Sequence, residues 1–272
     1  MKIARVVPFG TIEFEQREAQ NGRPGYRAYH VVGEDGARKR FVSVTSFLGV
    51  LDKPALVRWR EDMTVQAAVG MERSGVLGGV APEEAADLLR ANKLGADEIA
   101  KRAAERGTAI HAGFETFLRE GRPPNPADFA EEHRGYLRGL SLWLLSAIER
   151  GLEVEAVEQL VAHPQLEYAG RYDLRAKLGG LSYLIDLKTN KQGRVWPEHH
   201  YQPTAYAMAD VECGSEPVHA CLLVAVGPDG NYEEMLAKAT PADVKAVLTV
   251  YRRAARLRAA VQAEHERLEA VA

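Results

Sequence analysis

Cysteine is scarce in this chain, with Cys213 and Cys221 alone among 272 residues. Two thiols eight apart cannot by themselves make a structural zinc site or an iron–sulfur cluster, each of which takes about four ligands. Reduced, buried thiols are the reading that follows. Long apolar runs are also missing, and none approaches the ~20 residues that a membrane-crossing helix requires. The opening residues MKIARVVPFG hold no apolar stretch of the kind a secretory signal uses, so a cytoplasmic location is expected. Neither sign of charge dominates. A net charge of −3 excludes a globally basic surface for nucleic acid, though not a local basic patch. No internal repeat or low-complexity tract is visible, which sets aside solenoids and arrays. What is present is ordinary globular composition, 46% hydrophobic and 27% charged, sufficient for one large core.

Turn residues and apolar spacing divide the chain. Residues 1–45 read as β-rich, with hairpin turns at 22–25 and 33–36. Thr45 or Ser46 is placed to cap a following helix, and hydroxyls there can alternatively hold a phosphate. Residues 46–150 look helical. The stripe Phe47, Leu48, Leu51, Leu56, Val57 and Trp59 is broken by Pro54, and Pro82 opens another helix. A long helix over 96–119 carries Gly107 at its centre and places His111 and Glu115 on one face. A further helix is expected over 127–150, with Phe129, Tyr136, Leu140, Trp143, Leu144 and Ile148 inward. Strands follow over 153–162, 172–178, 181–188, 219–226 and 232–238, and a last helix runs over 241–270. Between them, 197–211 reads as a helix interrupted or restarted near Pro203. One α/β (α+β) domain with a helical flank fits this order.

The chemistry concentrates in residues 170–206. Gly179-Gly180 joins two strands as a hairpin. Asp186 sits in the apolar run Tyr183-Leu184-Ile185, where a carboxylate is costly to bury without a partner. Lys188, two residues on, projects from the same strand face. Two carboxylates and a lysine suit metal-assisted phosphodiester hydrolysis, in which a divalent ion held by hard oxygen ligands activates water and a cation steadies the charge. Taken alone, Asp-x-Lys after an apolar run is more often a salt bridge at a strand end. A lone histidine on a helix such as His111 is likewise more often structural.

The combination is more specific. Gly170-x-x-Asp173, Asp186-x-Lys188-Thr189 and Gln202-x-x-x-Tyr206, preceded by Gly107-x-x-x-His111 and by Ser43-Val44-Thr45, resembles the PD-(D/E)XK nuclease superfamily. Within it, the RecB-type exonuclease branch is the most similar, a branch that includes phage exonucleases and the mitochondrial genome maintenance exonuclease. The resemblance spans about 43–206. It implies a restriction-endonuclease-like mixed central β-sheet flanked by helices over 46–272, with an N-terminal β-hairpin region over 1–45. It also implies an Mg2+- or Mn2+-dependent DNA exonuclease of recombination, replication or repair, in a bacterial or phage-infected cell. Asp173, Asp186, the Leu187 carbonyl and His111 would hold metal, and Glu115 and Glu158 would be outer ligands. Lys188 would be the catalytic lysine. Gln202, Tyr206, Ser43 and Thr45 would meet DNA. A phosphate path would use Lys93, Lys101, Arg102, Arg106, Lys191 and Arg194, and the arginines Arg252, Arg253, Arg256 and Arg258 read as a solvated helix face or a second such path. Relatives with an iron–sulfur cluster use four cysteines, so no cluster is expected here. A recombination or single-strand-binding protein is an implied partner. A structure-specific endonuclease and a DNA-binding module on the same fold are the competing readings, and the intact Asp173, Asp186 and Lys188 speak against the second.

Overall fold

Alternating apolar and polar residues at the start of the chain fold into an antiparallel meander, with strands β1 (Lys2–Val7), β2 (Gly10–Arg17), β3 (Tyr26–Val32) and β4 (Arg38–Ser43). The computed structural model describes residues 1–17, 26–92, 94–121 and 125–269. The turn expected at 22–25, the Gly-Pro break around 122–124, Lys93 and the end of the last helix at Ala270 lie outside the described residues.

Helix α1 (Val44–Phe47) follows β4 directly, capped by Ser43, whose hydroxyl accepts the Ser46 N–H at 3.0 Å. The cap is thus Ser43 rather than Thr45 or Ser46. A 3-10 turn leads on to α2 (Pro54–Arg73), where Leu56 and Val57 are exposed instead of inward. Then come α3 (Pro82–Ala91) and α4 (Ala96–Glu120). Helix α5 (Arg134–Glu149) starts seven residues later than the spacing suggested, because two 3-10 turns, Pro126–Asp128 and Glu131–His133, precede it. Ile148, expected inward, faces solvent. Gly151, with a φ of +75°, takes the left-handed conformation that ends this segment.

Strands β5 (Glu153–His163), β6 (Tyr168–Leu178) and β7 (Leu181–Thr189) form an antiparallel group, with Leu178 paired to Leu181 across the two-residue Gly179-Gly180 turn. A 3-10 turn, Pro197–His200, feeds α6 (Tyr201–Glu212) without a break. Pro203 is tolerated because it falls in the first turn, where backbone N–H groups have no intrahelical acceptor. Strand β8 (Ala220–Val226) lies parallel to β7, β9 (Tyr232–Leu236) returns antiparallel, and α7 (Pro241–Glu269) closes the chain. Thr240 and Asp243 cap α7 reciprocally.

The nine strands among the described residues join one mixed sheet, ordered β1-β2-β3-β4-β6-β7-β8-β9 with β5 on the other edge of β6. Helices α4 and α5 cover one face, burying Ile110, Phe114, Leu140 and Trp143 against Leu174, Ile185 and Val224. Residues of α1, α6 and α7 cover the other with Phe47, Ala205, Tyr206 and Val244, against Tyr172 and Leu184. Among the described residues, no helix is long and apolar enough to cross a membrane.

The sheet forks in β6. Its start, Tyr168 and Ala169, pairs with Val42 and Ser43 of β4, whereas β7 joins only from Leu174 onward. Residues 170–173 therefore lie in the crotch between β4 and β7, beyond the ladder of either strand.

Helix α5 approaches the β8–β9 turn so closely that a Cβ on Gly139 would lie 2.3 Å from the Asn231 carbonyl oxygen. Gly139→Ala should lower stability by about 1–3 kcal/mol, the usual cost of overpacking, read as an earlier urea midpoint with unchanged slope. A wild-type midpoint would refute that contact.

Candidate functional site

Four elements converge at the fork. Strand β6 supplies Asp173, the end of β7 supplies Asp186 and Lys188, α4 supplies His111, and α6 supplies Gln202 and Tyr206. Asp173 Oδ2 accepts the N–H of Leu187 at 2.8 Å, which ties the two strands together where their ladder has ended. Its other oxygen is 3.5 Å from His111 Nδ1. Asp186 is 1% exposed, and Lys188 Nζ lies 2.6 Å from its Oδ2. That ion pair is close but poorly aligned, and neither Asp186 oxygen has a well-directed hydrogen bond. Lys188 also donates to Gln202 Oε1 at 2.9 Å, and Gln202 donates to the Tyr206 hydroxyl at 3.0 Å.

Two glycines make this approach possible. A Cβ on Gly170 would lie 2.3 Å from the Tyr206 ring, so the tyrosine seats itself on bare backbone. A Cβ on Gly107 would come 3.0 Å from Thr189 Oγ1. The unfavourable glycine in mid-helix thus lets α4 meet the end of β7 one turn before His111.

Strand β5 contributes a residue with unusual backbone. Glu158 has a φ of +50° and falls opposite Asp173, between the paired neighbours Val157–Leu174 and Gln159–Tyr172. Ligand atoms of His111, Glu158 and Asp173 all lie within 4.8 Å of one another. Arg171 Nε pairs with Glu158 at 2.7 Å. Glu115 instead turns to Arg119 at 2.9 Å, so of the two expected outer ligands it is Glu158 that joins the cluster. Its left-handed strand backbone has no signature in the sequence, since nothing but glycine and asparagine advertises that conformation.

The electrostatics express crowding. Burial raises the Glu158 carboxyl to about 7, and the Asp173 charge adds to that effect. Burial also pushes Asp186 above its ordinary range, against the pull of Lys188. Asp173 moves the other way: burial would raise it, but His111, Lys188 and the Leu187 N–H together hold it low. Burial works against a charge on His111, and Asp173 more than reverses this. Three carboxylates here face one imidazole, the Lys188 ammonium and the Arg171 guanidinium.

The remaining expected residues spread out. Ser43 and Thr45 hydroxyls bond to each other at 3.1 Å beside the start of β6, with Ser43 already committed to its cap. Arg106 lies back against α5, its guanidinium 4.8 Å from the Tyr136 ring centre and its Nε buried; this is a stacked side chain rather than an open phosphate contact. Lys101, Lys191 and Arg194 are exposed, the last two on the loop after β7 that Asn190 braces through the Arg194 N–H and carbonyl. On α7, Arg252 donates to the Leu166 carbonyl while Arg253, Arg256 and Arg258 face outward. Cys213 and Cys221 are free thiols. A recess of about 560 Å³ between Arg150, Leu178, Tyr183 and Leu236 opens at the opposite end of β7, and there Arg150 and Glu234 neutralise each other.

No family model matches this chain, and no curated protein matches it. The crystal structure of SSO0001 resembles it at 16% identity and a TM-score of 0.34, covering 79% of this chain and 75% of that one. A likeness at that level bears on neither fold nor function.

A carboxyl raised on folding leaves the native state most favoured below its ordinary pKa of 4.5, an advantage lost as pH climbs to about 7. In metal-free buffer, Glu158→Gln should therefore melt several degrees above wild type at pH 8 and level with it at pH 4.5. Melting curves that stay parallel across this window would show that Glu158 carries no such penalty.

Proposed function

We propose that this protein is a metal-dependent deoxyribonuclease of PD-(D/E)XK type, hydrolysing DNA phosphodiester bonds from strand ends in recombination, replication or repair. One observation carries the reading. Asp173, Asp186, Lys188, His111 and the Gln202–Tyr206 pair, far apart in sequence, meet at a single fork in the sheet. A salt bridge at a strand end would not require an imidazole from one helix and an amide from another.

The donor set fits a hard divalent cation. Asp186 is buried with neither oxygen well bonded, and His111, Glu158 and Asp173 offer atoms within 4.8 Å of each other. Carboxylate oxygens with one imidazole suit Mg2+ or Mn2+. Such an ion, when bound, lowers the pKa of a water and polarises the phosphate. Asp173 and Asp186 would hold it, joined by His111 and Glu158 and by the backbone of Leu187, whose N–H already fixes Asp173. Lys188 lies beside Asp186 with its ammonium steadied by Gln202, so its charge is preplaced for the extra negative charge that builds on a phosphate during attack. Tyr206 anchors Gln202 and is itself seated on Gly170. The exposed Lys191 and Arg194 are on the loop that leaves Thr189 and can follow the strand.

The test is digestion of end-labelled single- and double-stranded DNA with Mn2+, comparing wild type with Asp186→Ala and Lys188→Ala. Both substitutions should cut activity by roughly 10²-fold or more while binding persists. Undiminished cutting by Asp186→Ala would sink the site. Covalently closed circular DNA should stay whole, and its cleavage would assign the same site to an endonuclease.

A further inference from the structure

We infer that the protruding part of α7 is a docking helix, whose apolar stripe takes an acidic amphipathic helix of a partner protein. The docking helix is independent of the nuclease reading and of the fork in the sheet.

Helix α7 spans Pro241–Glu269, yet its buried residues Val244, Val247 and Leu248 all lie in the first turns. From Ala255 to Glu269 each residue is exposed, so about 22 Å of helix stands away from the core. Local terms support that stretch. Ala255, Ala259, Ala260 and Ala263 are good helix formers, and Gln262 bonds Glu266 at 2.9 Å while Arg267 bonds Glu264 at 2.7 Å. None of these requires an apolar side chain in water.

Apolar side chains are there all the same, and they are aligned. Val250, Leu257, Val261 and Leu268 are 57%, 66%, 46% and 56% exposed. Their spacings of seven, four and seven confine them to about 40° of the helix surface. The buried residues centre about 110° further round, so the stripe does not continue the core face. Val250 and Leu257 fall at d of a heptad, and Ala254, Val261 and Leu268 at a. Glu264 interrupts the seam and is held by Arg267 at 2.7 Å. So narrow a stripe suits a second helix. A helix lying in a membrane surface has a broader apolar face with aromatic anchors, and no aromatic side chain follows Tyr251 on α7.

Charge selects the occupant. The positions beside the seam hold Arg253, Arg258, His265 and Arg267. Among the described residues, Arg253 and Arg258 are in no ion pair, and neither is the neighbouring Arg256. A second copy of this helix packed on the stripe would set arginine against arginine. A partner helix with glutamate or aspartate beside its own apolar seam answers those charges instead.

Two synthetic helical peptides of about three heptads test this, each with leucine at a and d. One carries glutamate at e and g, the other lysine. In fluorescence anisotropy with the whole chain, the acidic peptide should bind in the micromolar range and the basic one roughly tenfold or more weakly. Leu257→Ser should weaken acidic-peptide binding about tenfold and leave the melting temperature unchanged, because Leu257 is exposed. The double variant Arg253→Glu, Arg258→Glu should reverse the preference to the basic peptide, a switch that an indiscriminately sticky stripe would not show. Equal binding of both peptides, or wild-type binding by Leu257→Ser, would overturn the docking helix. Three results without acidic-peptide binding would do so too. Dimerisation in sedimentation that Leu257→Ser abolishes would make the stripe a self-contact. Capture by phosphatidylserine vesicles would make it a membrane contact. Duplex DNA binding lost only in the arginine variant would make it a phosphate path. Every readout is made without DNA cleavage, so failure here leaves the nuclease reading untouched, and failure of that reading leaves the docking helix in place.

Discussion

Asp186 is a carboxylate with almost no exposure whose nearest cation is close but misaligned, and the local structure is arranged around that cost. Removing a charge from water is expensive unless a counter-charge and hydrogen bonds replace the hydration. Here the compensation is partial and comes from several directions. Lys188 answers Asp186, His111 and the Leu187 N–H answer Asp173, and Arg171 answers Glu158. These partners come from β6, β7 and α4, so the carboxylates cannot be accommodated unless two strands and a helix are already in place. The same requirement explains the glycines, since Gly107 and Gly170 mark where a side chain would push α4 or Tyr206 away.

A second buried network holds α6 in register with the sheet. Arg175, on β6 two residues beyond Asp173, donates to Glu155 at 2.9 Å and to Asp210 at 2.8 Å. Arg5 of β1 reaches Asp210 at 3.6 Å while donating to the Leu160 carbonyl, and Ser215 also bonds Asp210. Buried ion pairs of this kind are weak contributors to net stability but are costly to break once formed. Asp210 lies two turns beyond Gln202 on the same helix, so clamping it fixes how far Gln202 and Tyr206 project towards Lys188. The N-terminal meander enters the same logic. Through Arg5, and through β4 pairing with β6, it braces one wall of the fork.

Much of this was legible in the sequence where a residue type has few alternatives. Gly179-Gly180 between alternating runs gave the hairpin, and the nearly continuous apolar run ending at Val226 gave a buried strand. The four-residue spacings placed His111 on its helix and set Gln202 against Tyr206. What escaped was decided by tertiary competition. Glu115 has the right spacing from His111, but Arg119 one turn on captures it. Arg106 is a cation near the site in sequence, and an aromatic ring on α5 claims it. Leu56, Val57 and Ile148 follow an apolar period without a surface to meet.

Several unfavourable features of this chain meet at the fork. A non-glycine residue in left-handed strand backbone costs roughly 1–2 kcal/mol, and Glu158 is placed opposite Asp173. A glycine inside a helix costs about 1 kcal/mol relative to alanine, and Gly107 is placed one turn from His111. The buried oxygens of Asp186 lack directed bonds, and Glu158 is held near neutrality by its surroundings. At Asp186 an apolar side chain would meet no such cost of burial if folding were all that was at stake. The concentration of these features within one fork of the sheet, among groups that share a preference for a hard cation and a phosphate, is what stability alone does not explain. Strain and unmet charge gathered at one place are the features that the proposed metal site would account for.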